Sequence, residues 1–394
     1  MAATANRAGG SRPGGARRAF AILVVVIAVG TLVGMVTLWP GDFDAPLSEG
    51  VAADTERAEV TSVTYEACPP PQTGQCGEAE ILLDSGPDSG DTATLPVGGV
   101  ALEPELEPGD EIPVARSEAV PGGPPAYTLT DFQRTAPILW LVVAFAALVV
   151  AFGRLRGALS LVGLAISLAV ILAFVVPAIL DGSPPLAVAI VGSLAVMLAT
   201  VSLAHGWGPK SLAAMLGTAV SLALVALLAL AFTNLTHLTG LSSEEATLLL
   251  RNGADVSLEG LLLAGIVIAA LGVLDDVTVS QASTVLALRA ANPTLGYRQL
   301  YGRALRVGQD HVSATVNTLV LAYVGASLPV LLIFSSGELG LIDAVNTELI
   351  AKEVVGTLVG SIGLIAAVPV TTALAALLAR DLPEPGFSAA PDPA

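Results

Sequence analysis

The sequence predicts an α-helical integral membrane protein of about eight transmembrane helices, with a small extracytoplasmic β-rich domain between helices 1 and 2. Three observations predict it. Eight long apolar stretches fill most of the 394 residues, and about 20 apolar residues in helical form span the hydrocarbon core of a bilayer. Hydrophobic residues make up 54% and charged residues 13% of the chain, against roughly 25% charged in an ordinary soluble domain. Basic residues gather on alternate connections between the apolar stretches.

The spans fall near Phe20–Trp39, Pro137–Phe152, Ala158–Leu180, Leu186–His205, Ser211–Phe232, Leu258–Leu274 with a polar continuation, Val312–Phe334 and Val354–Leu378. The first follows Arg7, Arg12, Arg17 and Arg18, a basic lead-in shared by cleaved secretory signals and retained anchors. Its long apolar run and the absence of a small-residue cleavage pattern at Trp39-Pro40-Gly41-Asp42 favour an anchor. With the N-terminus in the cytoplasm, twelve basic residues lie on cytoplasmic segments, namely the four leading arginines, Arg154, Arg156, Lys210, Arg289, Arg298, Arg303, Arg306 and Arg380. Five, Arg57, Arg116, Arg134, Arg251 and Lys352, lie outside. The positive-inside rule therefore orients the chain, with both termini cytoplasmic in a cell membrane. Arg outnumbers Lys 15 to 2 and Ala is abundant, which fits a high-GC bacterial genome.

The resulting organisation is a cytoplasmic tail at 1–19, a transmembrane anchor at 20–39, an extracytoplasmic acidic β-rich domain at 40–131, a seven-helix membrane domain at 132–379 and a disordered cytoplasmic tail at 380–394. The formal charge of −17 resides largely in one segment, since 19 of the 34 acidic residues lie between Asp42 and Asp131. No basic patch for nucleic acid exists. Within that segment, Val60, Ser62, Thr64 and Glu66 alternate with Thr61, Val63 and Tyr65, and Glu80-Ile81-Leu82-Leu83 reads as a second strand. Turn signals stand at Ser85-Gly86-Pro87-Asp88-Ser89-Gly90 and Glu107-Pro108-Gly109-Asp110, with Ile112-Pro113-Val114 following. Short apolar runs between such turns imply a small β-domain or compact barrel, and Gly122-Gly123-Pro124-Pro125 reads as its linker to the membrane. The two cysteines, Cys68 and Cys76, flank a short loop here. On the oxidising side of the membrane they form a disulfide, or else stand as two free thiols; their spacing and the lack of a nearby His argue against a metal site.

Polar groups inside apolar stretches are the candidate functional residues. Asp275 and Asp276 follow Leu261–Leu274, and Thr278, Ser280, Gln281, Ser283 and Thr284 come next. A carboxylate at the bilayer centre costs ~2.5–3.5 kcal/mol on insertion scales, so an intramembrane Asp is a functional hypothesis. At 3.6 residues per turn, Asp276, Ser280, Ser283 and Thr284 share a face. The plainer reading is that the pair ends the span and meets water. The next span opens with Gly308-Gln309-Asp310-His311 and carries Ser313, Thr315, Asn317 and Thr318. His311 and Asp suit proton exchange, whereas Ser313, Thr315 and Thr318 suit hydrogen bonds between helices. The candidate ion, proton or substrate set is thus Asp275, Asp276, Ser280, Ser283, His311 and Asn317. Glu353 is read as capping the last span, Gly356, Gly360 and Gly363 as a close-packing face, Pro369 as a potential kink, and residues 240–250 as a short capped outer helix.

From about Asp131 to Leu378 the chain resembles the YibE/F family of bacterial multi-pass membrane proteins. Three blocks carry the resemblance: residues 272–283 (Gly272-Val273-Leu274-Asp275-Asp276-Val277-Thr278 onward), Gly308-Gln309-Asp310-His311 followed by Asn317-Thr318-Leu319-Val320, and Gly360-Ser361-Ile362-Gly363-Leu364 with Val368-Pro369-Val370-Thr371-Thr372. Many members have a single Asp with an upstream Met where this chain has Leu274-Asp275-Asp276, and Ser280 aligns that Asp with Asp276. The resemblance implies the eight-span architecture and a polar level near the cytoplasmic side. On activity it implies only a supposed permease role.

Two functions remain in competition. One is a permease or secondary transporter of a small solute or ion, with Asp276 and His311 binding an ion or exchanging protons; the lack of an internal repeat counts against it. The other is a membrane scaffold whose extracytoplasmic domain engages an envelope protein. An intramembrane hydrolase is disfavoured, because neighbouring aspartates point about 100° apart on one helix and neither GxSxG nor HExxH occurs. No catalytic residue, metal or cofactor is expected; the partners are the lipid bilayer and the solute.

Overall fold

The computed structural model describes residues 15–41, 55–68, 75–98, 105–118, 125–242, 244–251, 256–336 and 340–380. Arg7, Arg12, the loop between Cys68 and Cys76, Gly122 to Pro124, Ser243 and the tail from 381 onward lie outside the described residues. The chain divides into two units, Met1–Phe43 with Gly153–Ala394, and Asp44–Phe152.

The first unit is helical. Its elements are α1 (Gly15–Thr37), the later arm of α2 (Thr135–Val170), a π turn at Ile171–Val175, α3 (Val176–Leu180), α4 (Pro185–His205), α5 (Pro209–Leu235), α6 (Glu244–Arg251), α7 (Leu258–Ala291), α8 (Tyr297–Ala326), α9 (Leu328–Ser336), α10 (Leu341–Asn346) and α11 (Glu348–Arg380). Local chemistry sets several ends. Pro185 and Pro209 occupy first positions of α4 and α5, where a missing N–H costs nothing. The Ser257 hydroxyl accepts from Gly260 N–H at 3.1 Å and caps α7. Arg289 in the last turn of α7 donates to the Pro293 and Leu295 carbonyls and so closes the turn into α8.

Six described helices are long and apolar enough to cross a membrane: Gly15–Thr37, Thr135–Leu180, Pro185–His205, Pro209–Leu235, Leu258–Ala291 and Glu348–Arg380. The pair α8 and α9, bent by 63°, passes the same test when taken together. Pro329 sits just past that bend, and its ring cannot continue the preceding helix unbroken. Two spans are longer than the sequence implies. Leu258–Ala291 runs well past Leu274, and α8 begins at Tyr297 rather than Val312. Hydropathy marks only the apolar part of a helix, while backbone hydrogen bonding continues through its polar turns. The last helix likewise starts at Glu348, ahead of Glu353. It is the Glu348 carboxylate that anchors this end, accepting from Thr239 N–H (2.8 Å), Thr239 Oγ1 (2.8 Å) and Gly240 N–H (2.6 Å).

Helices α5, α7 and α11 pack on one another and form the centre of the unit; α4 lies on α7, α8 on α11 and α7, and α1 on α4 and α5. Glycines let the backbones approach. A Cβ at Gly363 would lie 2.2 Å from Val225 Cγ2, and one at Gly217 would lie 2.0 Å from Thr371 Oγ1. With little hydrophobic force between helices in lipid, such close contact supplies association energy. Large apolar side chains face outward, including Ile22, Leu32, Leu172, Leu227 and Ile365. Soluble monomers rarely expose apolar surface on that scale. This is a membrane-embedded, multi-pass protein.

The second unit is built on a five-stranded antiparallel sheet ordered β3-β2-β1-β4-β5. The strands are β1 (Thr55–Ala67), β2 (Gln75–Leu83), β3 (Thr92–Gly98), β4 (Glu111–Glu118) and β5 (Pro125–Leu129). The edge strands β3 and β5 come into contact, so the sheet curls on itself in the manner of a small barrel. Long β1 serves both halves, pairing with β4 through its start and β2 through its end. A bulge between Val60 and Ser62 shifts its parity, so Val60, Val63 and Tyr65 all reach the core. Strict alternation from the sequence would have placed Val60 opposite the other two, and the extra residue resolves that conflict. Tyr65 Oη accepts from Leu106 N–H at 2.7 Å. Cys68 and Cys76 are joined in a disulfide.

Candidate functional site

Helix α7 carries the central group. Asp275 lies midway along its 34 residues, about 25 Å from either end at 1.5 Å per residue. The helix therefore does not stop at the aspartates. Adjacent residues on a helix point about 100° apart, and the two carboxylates go separate ways: Asp275 is half-buried, Asp276 exposed.

Asp275 Oδ2 accepts from Thr200 Oγ1 at 3.3 Å, while its Oδ1 is buried without a partner. Thr200 Oγ1 also lies 2.9 Å from the Val196 carbonyl and 3.3 Å from that of Met197, so one proton serves three acceptors. Beside this pair is a cavity of ≈ 260 Å³. Leu164 and Ser167 of α2, Ile171 and Val175 of the π turn, Gly192, Ser193, Val196 and Thr200 of α4, and Ile268, Leu271, Gly272 and Asp275 of α7 line it.

Each wall has a local cause. Pro177 lacks an N–H, and just before it the Val176 N–H reaches back five residues to the Ile171 carbonyl. The widened turn displaces Ile171 and Val175 into the wall; such π turns are frequent at functional sites. Gly192 makes room for it, since a Cβ there would lie 2.5 Å from Val175 Cγ2. Trp39 packs on Phe174 with ring centroids 5.8 Å apart and backs the same turn. On α4, Ser193 and Thr200 are seven residues apart and share a face. Ser193 is only 2% exposed, and its hydroxyl has no partner. Ser167 is satisfied by the Gly163 carbonyl at 2.9 Å. The lining carries one acid and no basic residue.

The other sequence candidates lie elsewhere. Ser283 donates to its own helix at Val279 O (2.7 Å), and Ser280 is half-buried. His311 and Asn317 are exposed on α8, and among the described residues no hydrogen bond or ion pair joins His311 to either aspartate. Ser313, Thr315 and Thr318 bond carbonyls of their own helix at 3.0, 2.9 and 3.1 Å, not a neighbouring one. Besides Thr200 with Asp275, bonds between helices come from Thr218 with Thr278 (2.7 Å) and from Gln281 Nε2, which reaches Thr372 Oγ1 at 2.6 Å and the Ala304 carbonyl at 2.9 Å. These last groups are buried and paired, and they fasten the central helices.

Sequence reasoning did not single out Ser167, Ser193 or Thr200. A helical wheel of residues 185–205 shows Ser193 and Thr200 as hydroxyls on one apolar face. Only the packing of α4 on α7 brings Thr200 to a carboxylate 75 positions away.

No curated protein and no solved structure matches the chain. The model of the family described as YibE/F-like protein matches residues 141–381, which contain every wall of the cavity, and the chain belongs to that family.

Proposed function

We propose that this protein is a permease of the bacterial cell membrane, a secondary transporter whose binding site is the cavity beside Asp275. The observation that carries the reading is the buried, unpartnered Oδ1 of Asp275 in the wall of a cavity whose lining is mostly apolar. An ionisable group inside a membrane helix is costly, and where it faces a cavity it marks a solute or ion path. Asp275 is neutralised in turn by a proton and by cargo, which couples the two. The weight that the sequence put on Asp276 and His311 moves to Asp275.

Eight crossings accord with the element lengths. Thr135–Leu180 has 46 residues, about 69 Å of helix, or roughly twice the hydrocarbon thickness. Its backbone leaves helical geometry at Arg154 (φ 50°, ψ −131°), beside Arg156, where a cytoplasmic turn satisfies the positive-inside rule. Counting α8 with α9 as one bent crossing, both termini are cytoplasmic and the barrel is outside. The Cys68–Cys76 bond suits an oxidising compartment. We assign the chain no catalytic chemistry or cofactor of its own; its partners are the bilayer and a small solute, with an envelope protein as a further partner of the barrel.

The test is solute-evoked proton movement in proteoliposomes loaded with a pH-sensitive dye and challenged with a panel of small solutes. Wild type responds to at least one solute, Asp275→Asn is silent, and Asp275→Glu retains a response. Equal responses from wild type and Asp275→Asn would remove Asp275 from the mechanism.

A further inference from the structure

The walls of the cavity narrow what it can hold, an argument that rests on the permease reading above. Apolar side chains from all sides, Leu164, Ile171, Val175, Val196, Ile268 and Leu271, enclose most of it. Two acceptors are left without partners, Asp275 Oδ1 and Ser193 Oγ. Thr200, which touches Asp275 at 3.3 Å, is seven residues along α4 from Ser193. The acid and the free hydroxyl therefore stand about 10 Å apart along the helix axis, with Val196 between them.

We propose that the cavity takes a small organic cation: a primary ammonium at Asp275, a compact apolar body along Val196 and its neighbours, and a second hydrogen-bonding group at the far end for Ser193. An anion meets an unpaired carboxylate with no basic residue to offset it. A sugar brings more hydroxyls than these walls can satisfy, and each buried unpaired group carries a desolvation penalty. A bare metal ion needs more oxygen ligands than one carboxylate and three hydroxyls supply, and among the described residues no group of three His, Cys, Asp or Glu side chains is placed to hold one. An ammonium supplies charge and donors, and its apolar body replaces the lipid or empty space that the walls otherwise face. Leu164 is 56% exposed and Gly272 is exposed as well, so the cavity communicates with the outside of the bundle.

The experiment uses the purified full chain in nanodiscs, with binding measured for tyramine, phenethylamine and 4-hydroxyphenylpropionate. Tyramine binds, phenethylamine binds about tenfold more weakly for lack of the distal hydroxyl, and the carboxylate analogue does not bind. Asp275→Asn abolishes binding of both amines while keeping the wild-type elution profile, and Asp275→Glu restores part of it. Ser193→Ala removes the tyramine preference but leaves phenethylamine affinity unchanged, a pattern that misfolding does not produce. The proposal is overturned if neither amine binds, or if both bind equally to Asp275→Asn. Proteoliposome flux then separates this proposal from the permease reading. Asp275-dependent transport of a solute that is not an amine sinks the cation assignment and leaves the permease standing. Asp275-dependent amine binding without flux upholds the cation site and sinks the permease.

Discussion

At Asp88 one carboxylate oxygen accepts from Tyr127 Oη at 2.7 Å and from Arg116 Nε at 2.9 Å, tying the β2–β3 turn to strands β4 and β5. The Tyr127 hydrogen bond, then the Arg116 bond and charge, hold the Asp88 carboxyl below its ordinary range. Burial, then the bond to Asp88, pushes the Tyr127 phenol up to about 12. The signs follow. A carboxyl lowered on folding stabilises the barrel above its unfolded value of about 3.9, and that contribution fades as pH falls through the folded value. A phenol raised on folding contributes fully below about 10 and loses its contribution as pH climbs through about 12. Ultraviolet titration of tyrosinate in the full chain should therefore show a late component that Tyr127→Phe deletes and Asp88→Asn shifts toward lower pH. A late component surviving Tyr127→Phe would assign it to another tyrosine. At this same scale the sequence named both Asp275 and Asp276 and put its weight on Asp276, whereas it is Asp275 that lines the cavity. One residue is about 100° of helix rotation, and only the packing of α7 says which rotation meets the cavity.

Helix contacts were partly legible. Gly356, Gly360 and Gly363 are recognisable as a small-residue face, and all three do meet neighbours, Ile266, Leu319 and Val225. The glycine with the tightest contact, Gly217, carried no such signal, because its partner Thr371 lies on a distant helix. Gly217→Ala should cost about 1–3 kcal/mol by overpacking. Thr371→Ala removes the atom that the new methyl strikes, so the double variant should recover part of the loss. Thermal melts of the four proteins in detergent form the cycle, and strictly additive effects would show that the two positions do not meet. Strand β1 teaches the same lesson in another geometry. Its alternation was readable, yet the bulge after Val60 that turns Val63 and Tyr65 inward answers to pairing with β2.

For the whole molecule, the decisive prediction concerns the broken helix. Single cysteines at Arg154 and Gly206 should react with an impermeant maleimide from the cytoplasmic side in oriented vesicles. Cysteines at Gly90 and His237 should react only from the outside. Protection of position 154 from both sides would mean that Thr135–Leu180 crosses once, obliquely, and would reverse the orientation of every span after it.

The amino-acid order by itself determined the solvent. Apolar stretches of bilayer length, an acidic insert rich in turn residues and three family blocks are all local or additive properties, visible without a fold. It also named two carboxylates at the end of an apolar stretch; that the helix continues past them to Ala291 came from the structure. Tertiary structure decided which one lines a cavity and what surrounds it. The cavity exists because a π turn before Pro177, a missing Cβ at Gly192 and a threonine on α4 converge on α7. Each depends on how neighbouring helices rotate and cross, and a linear pattern of hydropathy does not encode rotation.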